Sequence, residues 1–191
     1  MTLPMDRAGA LALLREHTKT ESLQKHAFAV EATMRHFAKL YGEDEEYWGM
    51  VGLLHDLDYE EYPEQHCQIT PGYLKDAGFD DAFIHAVLSH AYGLCSDVKP
   101  EKQMEKVIYT IDELTGFITA CALMRPSKSL LDIEVSSVKK KFKDKKFAAK
   151  VDRDLIRGGA EQMGMPLDEV MEHTIEALRT INEELGFLPL A

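Results

Sequence analysis

His55 and Asp56 offer an imidazole nitrogen and a carboxylate oxygen from adjacent positions, in the run Leu53-Leu54-His55-Asp56-Leu57-Asp58. Neighbouring residues on an α-helix point about 100° apart, so the pair can reach one ion only where the helix ends or bends. Pro63 disfavours helix at Tyr62, which places the dipeptide near a helix C-terminus behind the apolar Trp48, Met50, Val51, Leu53 and Leu54. Charge in such a place is costly to bury unless something compensates it, and a divalent cation does so. Taken alone the pair is commonplace: a solvated aspartate beside an ordinary, partly buried histidine. Yet His26, His90 and Asp112 also fall on or beside faces where helical periodicity asks for apolar side chains, and His66 stands just past the dipeptide. Four imidazoles and two carboxylates suit a divalent first-row metal. The lack of thiols in the set argues against a structural zinc site. A metal held this way lowers the pKa of a bound water.

Helices must position these residues, and nearly the whole chain reads as helix. Asp6 caps a first one reaching Glu16, with Leu11, Leu13 and Leu14 inward. A second starts at Thr20 or Ser22 and carries the stripe Leu23, His26, Ala27, Val30, Met34 and Phe37 to Gly42. Residues 43–57 form the helix that delivers His55 and Asp56. A helix over about 64–77 opens with His66 and contains Pro71, which predicts a break or kink. Asp80 caps the next, where Phe83, Ile84, Val87, Leu88 and Ala91 face inward and His90 lies at the edge of that face. Residues 101–123 make a long helix with Asp112 among Ile108, Ile111 and Thr115. Arg125-Pro126-Ser127 ends it. A lysine-rich stretch over 135–150 and helices over about 152–163 and 168–185 complete the chain. No internal repeat and no linker rich in Gly or Ser interrupts it. The expected fold class is all-α, one compact helical bundle over residues 1–191, with the motif region at about 20–125 and C-terminal helices over 126–191.

With 191 residues, 45% apolar and 29% charged, the chain can bury a substantial core. Its net charge of −11 argues against a nucleic-acid partner, which needs a basic footprint. A small phosphorylated substrate held by metal and a few cations is compatible with it. Arg125 and Lys128, just past the helix of Asp112, are the candidate substrate-binding cations. The lysines of 139–150 read first as a solvated face. Cys67, Cys95 and Cys121 are odd in number and lack a CxxC spacing, which suggests reduced thiols. No signal peptide and no membrane span is visible, so a cytoplasmic location and no membrane partner are expected. His17, His36, His85 and His173 fall on predicted polar faces or loops and receive no role.

The order His26, His55-Asp56, Asp112 resembles the H…HD…D signature of the HD-domain superfamily of metal-dependent phosphohydrolases, over about residues 20–125. Lys25-His26, Leu53-Leu54-His55-Asp56 and Asp112-Glu113-Leu114 carry the resemblance. It implies an all-α domain in which His26, His55, Asp56 and Asp112 hold a divalent ion. Branches with two metals, among them the HD-GYP phosphodiesterases and the di-iron oxygenases, add two histidines between HD and the last Asp, and His66 and His90 are similarly placed. Asp56 would then bridge both ions and be the catalytic residue. Asp58, Glu113 and Thr115 are candidates to orient the imidazoles. In place of a Gly-Tyr-Pro motif the chain has Pro71-Gly72-Tyr73, which speaks against cyclic-dinucleotide specificity. It also lacks the long insertions of the deoxynucleotide triphosphohydrolases. The expected cofactor is one or two ions of Mn, Fe, Zn, Ni, Co or Mg. Three functions stay open: hydrolysis of a nucleotide or other small phosphoester, di-iron oxygenation, and a non-catalytic metal-binding regulator.

Overall fold

The computed structural model describes residues 2–190; Met1 and Ala191, the ends of the expected 1–191 domain, lie outside the described residues. The fold is all-α. Helix α1 spans Arg7–His17, α2 Glu21–Tyr41, α3 Glu45–Leu53, α4 Thr70–Asp76, α5 Asp81–Leu88, α6 Gln103–Leu123, α7 Val135–Lys143, α8 Arg153–Met163 and α9 Leu167–Thr180, with single 3-10 turns at Pro63–Gln65 and Ser89–Ala91. Local chemistry marks several ends. The Asp6, Asp44 and Asp80 carboxylates each accept from backbone N–H groups in the first turn of α1, α3 and α5. Gly42 closes α2 at φ +71°, a left-handed conformation that favours glycine.

Helix α6 runs through the core. Its Val107, Ile108, Ile111, Leu114, Phe117 and Ile118 are fully buried, as are Val30 and Phe37 of α2 and Val51 and Leu53 of α3. Helices α2 and α3 approach so closely at Gly52 that a Cβ there would sit 3.0 Å from the backbone nitrogen of Glu31 and 3.0 Å from the carbonyl carbon of Val30. Beside this contact the buried Glu31 carboxylate accepts from Arg7 at 2.7 and 2.8 Å and from Arg35 at 3.0 Å. Helices α1 and α2 are thereby joined at one charge whose burial is compensated by two guanidiniums, and Arg35 reaches on to Glu46 of α3. Among the described residues no helix is long and apolar enough to cross a membrane.

Several boundaries differ from the periodicity-based expectation. The helix expected to reach residue 57 stops at Leu53. Beyond it the chain forms tight turns closed by Tyr59 N–H to the Asp56 carbonyl and Tyr62 N–H to the Asp58 carbonyl. His66 does not open a helix; it follows the 3-10 turn in an extended conformation, and Cys67 then takes φ +68°. Asp58 explains this path. Its fully buried carboxylate accepts from the backbone N–H groups of Cys67, Ile69 and Thr70, wrapping the segment around one anion. Pro71 falls in the first turn of α4, where a missing N–H costs nothing, so it starts a helix rather than kinking one. The last helix ends at Thr180, not 185, because the Asn182 carboxamide is taken up by Leu130 N–H and the Leu188 carbonyl. Within the lysine-rich stretch α7 stops at Lys143, and Arg153 gathers the carbonyls of Phe142, Asp144, Phe147, Ala148 and Val151.

Candidate metal centre

The turn after α3 is held at three points. The Glu60 carboxylate accepts from Lys19 N–H, Thr20 N–H and the Thr20 hydroxyl at 2.9–3.0 Å, tying the turn to the start of α2. Glu61 meets His17 and the Tyr73 hydroxyl, and Asp58 meets the segment before α4 as described. These ties set the buried His55 and the partly exposed Asp56 against the middle of α6, which carries Asp112, and against α2, which carries His26.

Four polar side chains converge there. His26 Nε2 lies 3.2 Å from His55 Nε2 and 2.9 Å from Asp112 Oδ1, and His55 Nε2 lies 3.4 Å from Asp112 Oδ1. Asp56 Oδ2 stands 3.7 Å from His26 Nε2 and 3.4 Å from His55 Nε2. The other oxygen of the same carboxylate faces a second pair: Asp56 Oδ1 is 3.3 Å from His66 Nε2 and 3.4 Å from His90 Nε2, which are 3.2 Å from each other. All six residues singled out as ligands in the sequence thus meet in one place, in two groups that share Asp56.

The tautomers are fixed from behind. His55 Nδ1 donates to the Gly52 carbonyl at 2.7 Å and His90 Nδ1 to the Val87 carbonyl at 2.6 Å. A carbonyl only accepts, so those nitrogens carry the hydrogens and the neutral rings turn Nε2 lone pairs inward. His66 is aligned the same way by Asp58 Oδ1 at 2.8 Å. With the rings neutral, His66 and His90 turn Nε2 lone pairs toward one another at 3.2 Å beside Asp56, an arrangement that a cation, proton or metal ion, stabilises. That donor set of imidazoles and carboxylates fits a divalent ion.

Ionisation follows the same logic. Burial opposes charge on His55, but Asp56 and Asp112 hold its pKa well above the ordinary histidine value. Burial likewise opposes charge on His66, and its bonds to Asp56 and Asp58 raise its pKa far above that value. Asp56 is held well below the usual carboxylate range, against burial, by His55, His66 and His90; Asp112 is depressed by His55 and His26. Glu113 goes the other way. Burial, then the charges of Asp112 and Asp152, push it up to about 7.

The centre opens into a cleft of about 360 Å³ lined by Leu23, Tyr59, Ala91, Leu94, Glu113, Val151 and Leu155 besides the ligand residues. Arg125 and Lys128, expected as substrate-binding cations, are not among the residues that line it. Both lie beyond the C-terminal end of α6, which is about 17 Å from Asp112 along the axis at ~1.5 Å per residue, and Arg125 is engaged by Asp132 at 2.8 Å. Of the proposed orienting groups, Asp58 holds an imidazole; Thr115 instead donates to the Asp112 carbonyl. Cys67 was missed as a neighbour of the centre. Its Sγ lies within 4.8 Å of ligand nitrogens of His66 and His90, and Cys95 Sγ is 3.6 Å from it. Its position directly after His66 was the available signal. The histidines given no role are all partnered: His17 with Glu61, His85 with Glu105, and His36 with His173. No family model, curated protein or solved structure matches this chain.

Proposed function

We propose that this chain is a metal-dependent phosphohydrolase of the HD-domain type, hydrolysing a nucleotide or other small phosphoester. The observation that carries this is the division of the Asp56 carboxylate, with Oδ2 facing His26, His55 and Asp112 and Oδ1 facing His66 and His90. Two divalent ions held by these groups would acidify water near neutral pH and stabilise charge on a phosphoryl group. Asp56, as the shared ligand, is the catalytic residue. Asp58 and the Gly52 and Val87 carbonyls take the outer Nδ1 hydrogens, which leaves the inward Nε2 atoms for metal. Leu23, Leu94, Val151 and Leu155 give the cleft an apolar wall.

Screening nucleoside phosphates and simple phosphoesters against Mn²⁺, Fe²⁺, Co²⁺, Ni²⁺, Zn²⁺ and Mg²⁺ is the test, together with metal analysis of the His66→Ala and His90→Ala variants. Each variant should lose about one ion per chain relative to wild type, and with it most of the turnover. No turnover with any metal would overturn the hydrolase proposal. Unchanged metal content in both variants would overturn the two-ion centre.

A second proposal, di-iron oxygenation on the same ligands, is favoured by one feature: among the described residues no Lys or Arg lines the cleft, so a substrate's negative charge would meet chiefly the metals. Dioxygen consumption by iron-loaded protein, with an electron paramagnetic signal from a mixed-valent pair, separates it from hydrolysis.

A further inference from the structure

Away from the centre, α2 and α9 present three potential ligands to each other. His36 Nε2 of α2 is 3.1 Å from His173 Nδ1 of α9 and 3.6 Å from Glu176 Oε2, and His173 Nδ1 is 3.5 Å from the same oxygen. His173 and Glu176 are three residues apart, so they share one face of α9. We propose that His36, His173 and Glu176 form a separate binding site for a borderline divalent transition ion, Zn²⁺ or a close relative, which clips α2 to α9.

The dimensions fit such an ion. In a tetrahedral site with metal–ligand bonds of about 2.0–2.2 Å, ligand atoms stand about 3.3–3.6 Å apart; the three atoms here form a triangle with edges of 3.1, 3.5 and 3.6 Å. Two imidazoles and one carboxylate select such an ion over Mg²⁺ or Ca²⁺, which prefer all-oxygen sites. The imidazoles are about one-quarter exposed and Glu176 about half, so the fourth position faces solvent and an ion can enter. Phe37 sets its ring edge-on against both imidazoles, which limits their rotation. Among the described residues Glu176 forms no other ion pair than these two. The neighbouring charged groups are Lys39 on α2 and Glu172 and Arg179 on α9. This site shares no residue with the Asp56 centre, so the two stand or fall separately.

Equilibrium dialysis of the full chain against Zn²⁺ tests it, in an Asp56→Ala background that disables the principal centre. That protein should retain one Zn²⁺ per chain, and its Tm should rise with Zn²⁺. Adding His173→Gln or Glu176→Gln should weaken that ion at least tenfold and abolish the rise in Tm. Replacing Zn²⁺ by Co²⁺ should give the intense visible absorption of tetrahedral Co²⁺, lost in the same variants. Glu176 is exposed enough that its replacement leaves the fold intact, as circular dichroism would verify. Equal Zn²⁺ affinity with and without Glu176→Gln and His173→Gln, or no Zn²⁺ bound in the Asp56→Ala background, would overturn the proposal.

Discussion

Asp58 Oδ1 accepts a hydrogen bond from His66 Nδ1 at 2.8 Å while the same carboxylate accepts from three backbone N–H groups of the segment that follows. One buried anion therefore both shapes the chain before α4 and sets the orientation of an imidazole of the centre. Asp58→Asn keeps the size but turns one acceptor into a donor that faces N–H groups. It should cost about 2–4 kcal/mol of stability, read by urea unfolding. Metal affinity at the His66–His90 group should drop about 10–100-fold, as for loss of an outer hydrogen-bond partner. An Asp58→Asn protein with normal stability and normal metal content would refute both roles.

Asp56→Ala removes the ligand common to both groups. Metal content at the centre should fall by both ions, with each affinity lowered by more than the ~10–100-fold typical of an outer partner. The helical circular dichroism should be unchanged, since Asp56 is partly exposed and caps nothing. Retention of both ions by this variant would mean that the two groups are not linked through Asp56.

Glu113 gives the metal-free protein a pH dependence with a definite sign. Its pKa in the folded chain is pushed up to about 7, above the ordinary carboxylate value. Between those values the folded chain binds more protons than the unfolded chain, so stability falls as pH rises. The contribution is fully present below the ordinary carboxylate pKa and lost as pH passes about 7. Urea unfolding of chelator-treated protein should show the decline, and Glu113→Gln should remove the part below the ordinary histidine pKa, leaving above it the decline that the raised His55 and His66 contribute. Metal loading should also reduce it, by offsetting the charge of Asp112. A decline of the same size in Glu113→Gln would assign it to another group.

Gly52→Ala tests the close approach of α2 and α3. The added methyl would meet backbone atoms of Val30 and Glu31 at 3.0 Å, which cannot swing aside as a flexible side chain can. The cost should be about 1–3 kcal/mol, with weaker metal binding because His26 rides on α2 and His55 stands in the turn just after α3. Wild-type unfolding and metal affinity would show that the helices separate freely.

His26, His55, Asp56 and Asp112 were legible in the sequence because each is polar within or at the end of an apolar helical run. Such a run names its own exceptions. His90 was legible for the same reason, although a 3-10 turn rather than α5 carries it. The extended placement of His66 was not, because it depends on Asp58 drawing in three N–H groups from 9 to 12 residues further along the chain, and no period encodes that. Cys67 next to the centre, and His36 against His173 across 137 residues, are likewise products of tertiary packing. Arg125 and Lys128 were placed by closeness in sequence to Asp112, but a rigid helix carries that closeness away along its axis.

The contact at Gly52 also bears on how freely this protein can drift in sequence. A hydrogen atom at that position sets the separation of α2, which bears His26, from α3, which leads into His55, and the Gly52 carbonyl fixes the ring of His55. Exposed positions such as Leu40 and Met124 can change with little consequence for that spacing. Position 52 leaves no such latitude, so divergence that preserves the metal chemistry should be free to rewrite much of the surface while leaving this residue, which has no side chain of its own, untouched.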